Sequence, residues 1–146
     1  LEVYELDIFK NHKEDTLITL MECLERRSVP AGTKVFSLGD VADELYLIRK
    51  GAVRITLPVE GTADGHHTLT YGRGDFFGGI AFIAGTSRFN DGTAVDDTEL
   101  FVLRREQFER LKEEHKRLAF QLLEAVAKVL ALRLRYSDKE LMAMQD

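Results

Sequence analysis

Apolar and polar positions divide this chain into a short helical segment, a long region of short strands and a second helical segment. Four apolar residues near the start follow the spacing of one helix face, which predicts a helix over residues 13–27. They are Leu17, Leu20, Met21 and Leu24. The sequence Pro-Ala-Gly at residues 30–32 then ends the helical pattern.

The middle of the chain shows the pattern of short strands separated by turns. Leu45–Ile48 is a continuous apolar run, which is typical of a strand buried on both faces. Val53 and Ile55 alternate with polar residues, as in a strand with one face in solvent. A polar stretch at residues 62–65 predicts a hairpin turn, and Leu100–Leu103 predicts a last buried strand. This spacing of strands favours a β-barrel or jelly roll.

The helical period returns near the end of the chain and predicts helices over residues 106–115 and 116–141. Between Leu118 and Leu132 only three residues are polar, and all three lie on one narrow stripe: Gln121, Glu124 and Lys128. A surface helix needs an apolar arc of only about 100°. We therefore expect the last helix to pack on the barrel and also to contact a ligand, a second subunit or another domain. The alternative is that it simply lies deep in the domain.

Composition narrows the class of protein. The chain has 146 residues, 45% apolar and 31% charged, which predicts a single globular domain over residues 1–146. Its net charge of −5 argues against a nucleic-acid partner, because nucleic-acid-binding domains are usually basic. The one cysteine, Cys23, permits no internal disulfide and is expected to be a reduced thiol. No run of about 18 apolar residues occurs, so we expect no membrane insertion by this chain.

A glycine-rich turn carries the most informative chemistry. Gly78 and Gly79 open a short apolar segment that fits one or two helical turns, and such a start leaves backbone N–H groups without partners. Glycine also lets an anion approach the backbone closely. Arg88 follows a few residues later and offers the planar, permanently charged fork that phosphate oxygens favour. The alternative for these residues alone is a tight corner of the barrel.

Several stretches together resemble the cyclic-nucleotide-binding domain family, the effector domains of catabolite-activator type. They are Phe36–Asp40, Glu44–Ile55, Gly74–Gly78 and Gly85–Arg88. The resemblance implies a mainly β fold, a double-stranded β-helix or jelly-roll barrel with one N-terminal helix and two C-terminal helices. It implies an N-terminal helical part over 5–30, a barrel over 31–103 that contains a phosphate-binding cassette at 76–91, and C-terminal helices over 105–143.

The resemblance also supplies candidate ligand-binding residues. Gly78 matches the glycine of the cassette, the following three N–H groups would face a cyclic phosphate, and Arg88 matches the arginine that pairs with it. The full candidate set is Gly78, Gly79, Ile80, Ala81, Ser87, Arg88 and Phe89. Gly39 and Gly51 match glycines that shape turns of the barrel.

Two departures from the family pattern bear on affinity for cAMP or cGMP. The family cassette reads Phe-Gly-Glu, and its glutamate accepts a hydrogen bond from the ribose 2′-OH, but this chain has Gly79 there. Losing such a bond weakens binding by roughly ten- to a hundredfold. Asp91 stands where the family has a hydroxyl residue, and Asp91-Gly92 favours a turn over a strand. Asp91 either pairs with Arg88 or is a solvated turn residue. Both departures predict weak nucleotide binding.

Stretches near the end are similar to the C-terminal domain of bacterial SulP-type sulfate permeases, which follows a membrane domain and a STAS domain. They are Asp97–Leu103 and Glu106–Leu111. The similarity implies a cytoplasmic regulatory part of an anion transporter, tethered to the inner membrane, and the start at Leu1 leads us to expect a longer protein. The alternatives are a ligand-free dimerisation or docking module and the effector domain of a transcription regulator.

An enzyme is the least favoured class. A cupin-type metalloenzyme needs histidines and a carboxylate at ligand spacing on paired strands. His66 and His67 are adjacent, so on a strand they point to opposite faces, and His12 and His115 fall in predicted helices. We expect neither a metal nor catalysis.

Overall fold

The computed structural model describes residues 14–58 and 66–145, and the predicted turn at residues 62–65 and His12 lie outside them. The helices are α1 (Glu14–Cys23), α2 (Gly79–Ala84), α3 (Arg105–Glu114) and α4 (Lys116–Gln145). The strands are β1 (Glu25–Val29), β2 (Lys34–Phe36), β3 (Glu44–Lys50), β4 (Ala52–Pro58), β5 (His66–Gly72), β6 (Phe76–Phe77), β7 (Asp91–Ala94) and β8 (Thr98–Arg104).

The strands form two four-stranded antiparallel sheets, as the barrel prediction requires. One sheet has the order β1-β8-β3-β6 and the other β2-β7-β4-β5. In the first sheet, β8 lies between β1 and β3, with Val102 opposite Glu25 on one side and Tyr46 on the other. In the second, β4 lies between β7 and β5.

The first sheet is buried on both faces, and this explains the apolar run in β3. Leu45 and Leu47 pack against the helices, in a cluster that includes residues of α1, α3 and α4. Tyr46 and Ile48 point the other way and pack against the second sheet. The prediction of a strand buried on both faces is therefore confirmed. In β4, Val53 is buried and Arg54 is exposed, as the alternation predicted.

The predicted N-terminal helix is too long. α1 ends at Cys23, and residues 25–29 form β1 instead of continuing the helix over 13–27 or a helical part over 5–30. These residues pair with β8 from Glu25 opposite Val102 to Val29 opposite Thr98. The pairing covers what would otherwise be an open edge of the sheet, and these tertiary hydrogen bonds outweigh the local helical pattern.

The turn expected at Asp91-Gly92 is also wrong, because both residues belong to β7. Gly92 is required by packing, not by a turn. A Cβ atom on Gly92 would lie 2.9 Å from the ring of Phe36, so only glycine lets that ring approach the strand.

The C-terminal helices α3 and α4 match the two predicted helices. Gly39 and Gly51 have φ values of 90° and 96°, which confirms their place in turns of the barrel. None of the helices in the described part of the chain has the length and apolarity needed to cross a bilayer.

Candidate ligand-binding site

The cassette, the loop that follows it and α4 enclose a cavity of about 70 Å³. Six of the seven predicted site residues line it: Gly78, Gly79, Ile80, Ala81, Arg88 and Phe89. The cavity is smaller than the roughly 300 Å³ or more of ordinary ligand pockets, because Leu130 and Arg133 of α4 close one side of it.

Ser87 is the predicted residue that does not line the cavity. It is exposed and forms an isolated β-bridge with Val41. The bridge continues into the next residue, since the Arg88 N–H donates to the carbonyl of Asp40 at 2.8 Å and the Gly39 N–H donates to the carbonyl of Arg88 at 2.8 Å. These bonds fix the backbone of the loop, and thereby the direction of the arginine side chain.

The Arg88 side chain runs into the space between the two sheets and is only 3% exposed. Its Nη1 donates to the carbonyl of Gly78 at 2.7 Å, and its Nη2 donates to the carbonyl of Glu44 at 2.5 Å. The guanidinium carbon lies 4.4 Å from the ring centre of Phe36 and 5.5 Å from that of Tyr46. Cation–π contacts and two backbone acceptors therefore hold the group in one orientation.

A further donor of this guanidinium has no partner among the described residues. The Arg88 Nε atom is buried and has no hydrogen-bond partner. Burial lowers the pKa of Arg88, although an arginine stays protonated at neutral pH. A buried positive charge with an unmatched donor is unfavourable alone and is relieved by an anionic acceptor.

Gly78 has a conformation that only glycine accepts without strain. Its φ of 75° and ψ of 12° lie in the left-handed region. A Cβ atom there would lie 2.8 Å from Nη1 of Arg88 and 3.1 Å from the ring of Tyr46. The sequence motif Phe-Gly thus places the backbone of the cassette directly against the arginine.

Gly79 begins α2, and its position explains the missing glutamate of the family motif. Its Cβ would lie 3.2 Å from the ring of Phe76, 3.4 Å from Leu45 and 3.5 Å from Val126. A side chain at this position would point into the packed region between the cassette and α4. The absence of a side chain therefore allows close approach of the last helix.

Asp91 does not pair with Arg88, and it is not a solvated turn residue either. Its Oδ1 accepts a hydrogen bond from the Leu38 N–H at 2.7 Å, and its Oδ2 lies 3.6 Å from Nζ of Lys34. Asp91 thus ties β7 to the loop after β2.

Arg133 is the residue that sequence reasoning missed. Its Nη2 donates to the carbonyl of Phe76 at 2.6 Å, and its guanidinium carbon lies 4.1 Å from the ring centre of Tyr71. Burial lowers the pKa of Arg133 as well. A signal was present: Val126, Leu130 and Arg133 continue one face of α4 at spacings of four and three, so the apolar stripe ends in a cation.

The described residues contain no group of three or more histidine, cysteine, aspartate or glutamate side chains placed to hold a metal ion. His115 is exposed, whereas the side chains of His66 and His67 lie outside the described set.

Comparison with known proteins places these features in a family context. The model of the family described as "Cyclic nucleotide-binding domain" matches residues 26–115. Glutaminase 1 of Bradyrhizobium diazoefficiens is 32% identical over 133 residues, which cover 91% of this chain and 21% of that protein. The cyclic AMP receptor protein of Thermus thermophilus is 35% identical over 117 residues, which cover 80% of this chain and 52% of the receptor. The chain thus spans from about a fifth to about half of these relatives.

The fold has a close counterpart among solved structures. A cyclic nucleotide-binding domain from Methylobacillus flagellatus matches with a TM-score of 0.85 at 22% identity, covering 94% of this chain and 77% of that chain. The prediction of a mainly β fold with flanking helices is therefore confirmed.

Proposed function

Because the chain belongs to the cyclic nucleotide-binding domain family, we propose that it is a non-catalytic regulatory domain whose cassette and Arg88 hold the phosphate of a cyclic nucleotide. In this proposal the candidate site residues 78–81, Arg88 and Phe89 contact the ligand, and Ser87 fixes the loop. The whole stretch from 1 to 146 acts as one regulatory unit. No metal takes part.

The buried, partly unmatched guanidinium of Arg88 is the observation that carries this proposal. The group lies beside the left-handed Gly78 and at the wall of the cavity, with Nε lacking an acceptor. A phosphate oxygen is a charged acceptor, and hydrogen bonds between two charged groups are about twice as strong as neutral ones. The first N–H groups of α2, which have no partner within the helix, add further donors at the same wall.

Ligand entry requires a change in α4. The cavity of about 70 Å³ leaves no room for a nucleotide while Leu130 and Arg133 stay in place. A nucleotide therefore favours a state in which this part of α4 has moved, and it shifts the equilibrium only by its difference in affinity for the two states. Movement of α4 is the regulatory output.

Calorimetric titration with cAMP and cGMP tests the proposal. We expect saturable binding with micromolar or weaker dissociation constants, because the family glutamate is absent. Arg88→Gln should weaken binding at least about tenfold, since it removes a charged donor. Arg73→Gln is the matched control, because Arg73 is exposed and does not line the cavity.

Loss of affinity must be separated from loss of folding. Arg88→Lys keeps the charge but not the fork, and circular dichroism reports whether each variant is folded. Wild-type protein that binds neither cyclic nucleotide nor any other nucleotide phosphate would overturn the proposal. A submicromolar dissociation constant for cAMP or cGMP would contradict the expectation that the missing glutamate weakens binding. It would leave the proposal of nucleotide binding itself standing.

A second part of the proposal concerns the larger protein. The resemblance of Asp97–Leu103 and Glu106–Leu111 to SulP-type sulfate permeases supports a cytoplasmic position, tethered to the inner membrane as part of an anion transporter. The relationship to the cyclic AMP receptor protein supports the alternative, the effector domain of a transcription regulator. Sequencing the gene on both sides of this segment separates them: membrane spans and a STAS domain upstream support the transporter, and a helix-turn-helix downstream supports the regulator.

The exposed side of α4 supports contact with a second copy or an attached domain. Phe120 and Leu134 are each 65% exposed, and Ala127 and Ala131 lie between them on the same face. We propose that this exposed apolar seam is the surface by which the domain forms a homo-oligomer or docks on its parent protein. A ligand-free docking module would keep this seam and bind no nucleotide.

A further inference from the structure

The cavity is lined by two arginines, Arg88 and Arg133, and by no aspartate or glutamate. The two side chains come from opposite walls, one from the loop after α2 and one from α4. Both are desolvated, and burial lowers the pKa of each. The cavity therefore brings two positive charges together in a small volume.

Within the part of the chain that the structure describes, neither arginine forms an ion pair with a carboxylate. Arg88 donates to the carbonyl oxygens of Gly78 and Glu44, and Arg133 donates to that of Phe76. These acceptors are neutral, and the ion pairs formed among the described residues include neither arginine. The buried cation Arg88 and the half-buried cation Arg133 are costly for the folded protein without a charged partner, and an anionic ligand removes that cost.

Three carboxylates favour the charged form of the two arginines, Glu44 and Asp40 for Arg88 and Asp75 for Arg133, and each has another partner. The Asp40 carboxylate accepts the Ser37 N–H at 2.9 Å. The Asp75 carboxylate accepts the Gly72 N–H at 2.9 Å. The Glu44 carboxylate accepts hydrogen bonds from Arg27 at 2.9 and 2.7 Å and from the Tyr46 hydroxyl at 2.8 Å. None of these acids lines the cavity. The positive charge inside it is thus a stable feature of the fold.

Two further details show that the arginines are poised for new acceptors. Arg88 has its buried Nε without a partner. Among the described residues, Arg133 donates a hydrogen bond to the carbonyl of Phe76, and its guanidinium carbon lies 4.1 and 4.7 Å from the ring centres of Tyr71 and Phe76. Its remaining donors are available to a planar or tetrahedral anion in the cavity.

We propose that this cavity selects a nucleotide that carries two negative charges, with Arg88 binding one anionic group and Arg133 binding the other once the part of α4 that carries Arg133 has shifted to admit the ligand. The inference rests on the proposed function and names the charge class of its ligand. A singly charged cyclic mononucleotide leaves one buried guanidinium unmatched. A ligand with two charges matches both, whether the charges lie on one phosphate or on two.

Titration with a series that shares one base tests this. The probes are cAMP with one charge, 5′-AMP with nearly two charges on one phosphate at pH 7.5, and cyclic di-AMP with one charge on each of two phosphates. At least one doubly charged probe should bind about tenfold or more tighter than cAMP. Arg133→Gln should weaken binding of the preferred doubly charged probe by about tenfold more than it weakens binding of cAMP, and so remove the preference.

Arg135→Gln is the matched control, since it removes the same charge from an exposed position two residues along the same helix. It should retain the preference of the wild type. Arg133→Lys should recover part of the preference if charge is what matters, and none if the side chain is only structural. The comparison between 5′-AMP and cyclic di-AMP tells which arrangement of charges fits.

The outcomes separate this inference from the proposed function. Equal affinity for singly and doubly charged probes, or an equal loss for all of them in Arg133→Gln, overturns the inference while nucleotide binding itself stands. Absence of binding by every probe overturns both.

Discussion

The conformation of Arg88 depends on the residues that surround it more than on its own preferences. A rotamer-rich arginine is held by two carbonyl acceptors and by stacking on Phe36 and Tyr46. Gly78 permits this position of the guanidinium, because a side chain on Gly78 would collide with Nη1 of Arg88. The first predictions therefore concern single residues of the cassette.

Gly78→Ala should destabilise the domain by about 3 kcal/mol or more, because it adds backbone strain to a collision with the guanidinium of Arg88. Urea unfolding measures the loss. Gly85→Ala is the matched control, since Gly85 has a φ of 71° but no atom within 4 Å of its Cβ position. It should lose only about 1 kcal/mol from strain. Equal losses in the two variants would contradict the close contact of Gly78 with Arg88.

Gly79→Glu restores the residue that the family motif has at this position, yet it should not restore tight nucleotide binding. The new carboxylate would be forced against Phe76 and Val126, so we expect a loss of about 2–4 kcal/mol in the free energy of unfolding. Thermal unfolding and titration with cAMP check both points. A variant as stable as the wild type that binds cAMP more tightly would show that the cassette accommodates the glutamate.

At the level of secondary-structure elements, strands β1, β8 and β3 of the first sheet are connected by side-chain hydrogen bonds as well as by backbone hydrogen bonds. The Arg27 side chain of β1 extends across β8 and donates to the carboxylate of Glu44 in β3. Oε2 of the same carboxylate lies 3.7 Å from Nε of Arg104. The Tyr46 hydroxyl donates to the same carboxylate at 2.8 Å. Since the backbone carbonyl of Glu44 also accepts from Arg88, this residue connects the ion-pair cluster to the candidate site.

The Glu44 cluster should make stability dependent on acid. The hydrogen bond from Arg27 is the main cause that holds the pKa of Glu44 below its ordinary value of 4.5. Because the pKa of Glu44 is lower in the folded state than in the unfolded state, the ionised carboxylate stabilises the fold at pH values above the unfolded-state pKa. That contribution is lost as the pH falls below about 4.5 and the carboxylate becomes protonated. Glu44→Gln should therefore cost about 1 kcal/mol at pH 7 and less at pH 3.5 in urea unfolding.

The control for this prediction is Glu99→Gln. Glu99 pairs with Arg49 but is more exposed than Glu44, so its removal should have a smaller effect at pH 7. A loss in Glu44→Gln that is the same at both pH values would show that the contact contributes by packing and not by charge.

On the scale of the whole molecule, α4 belongs to the core and also extends beyond it. Leu122 and Val126 are buried among residues of the first sheet, so removing α4 would expose the core and unfold the domain. The same helix presents the exposed apolar seam defined above. One face of α4 thus packs on the barrel as expected, whereas contact of its exposed face with a second subunit or another domain stays a prediction.

Phe120→Glu should reduce self-association of the domain, because it replaces the large apolar side chain at one end of the seam with a charge. Sedimentation velocity over a range of protein concentrations measures the change. Arg117→Gln is the matched control, since it shifts the net charge by the same amount at an exposed residue of α4. A wild-type domain that stays monomeric at high concentration would contradict the proposal of a homo-oligomer and leave docking on the parent protein.

The sequence by itself determined the features that depend on local pattern. Period-two and period-3.6 patterns predicted the strands β3, β4 and β8 and the helices α3 and α4, because burial of apolar side chains follows the repeat of the backbone. The family resemblance of the stretch around Gly78 and Arg88 supplied seven candidate site residues, and six of them line one cavity.

Only the tertiary structure decided which residues meet across the chain. Residues 25–29 form a strand because they pair with β8, and the local helical pattern of the sequence does not predict this pairing. The tertiary structure assigned Asp91 to Lys34 and Leu38 and brought Arg133 into the cavity with Arg88. Such contacts join residues tens of positions apart, and their free energy depends on packing and desolvation that no local pattern encodes.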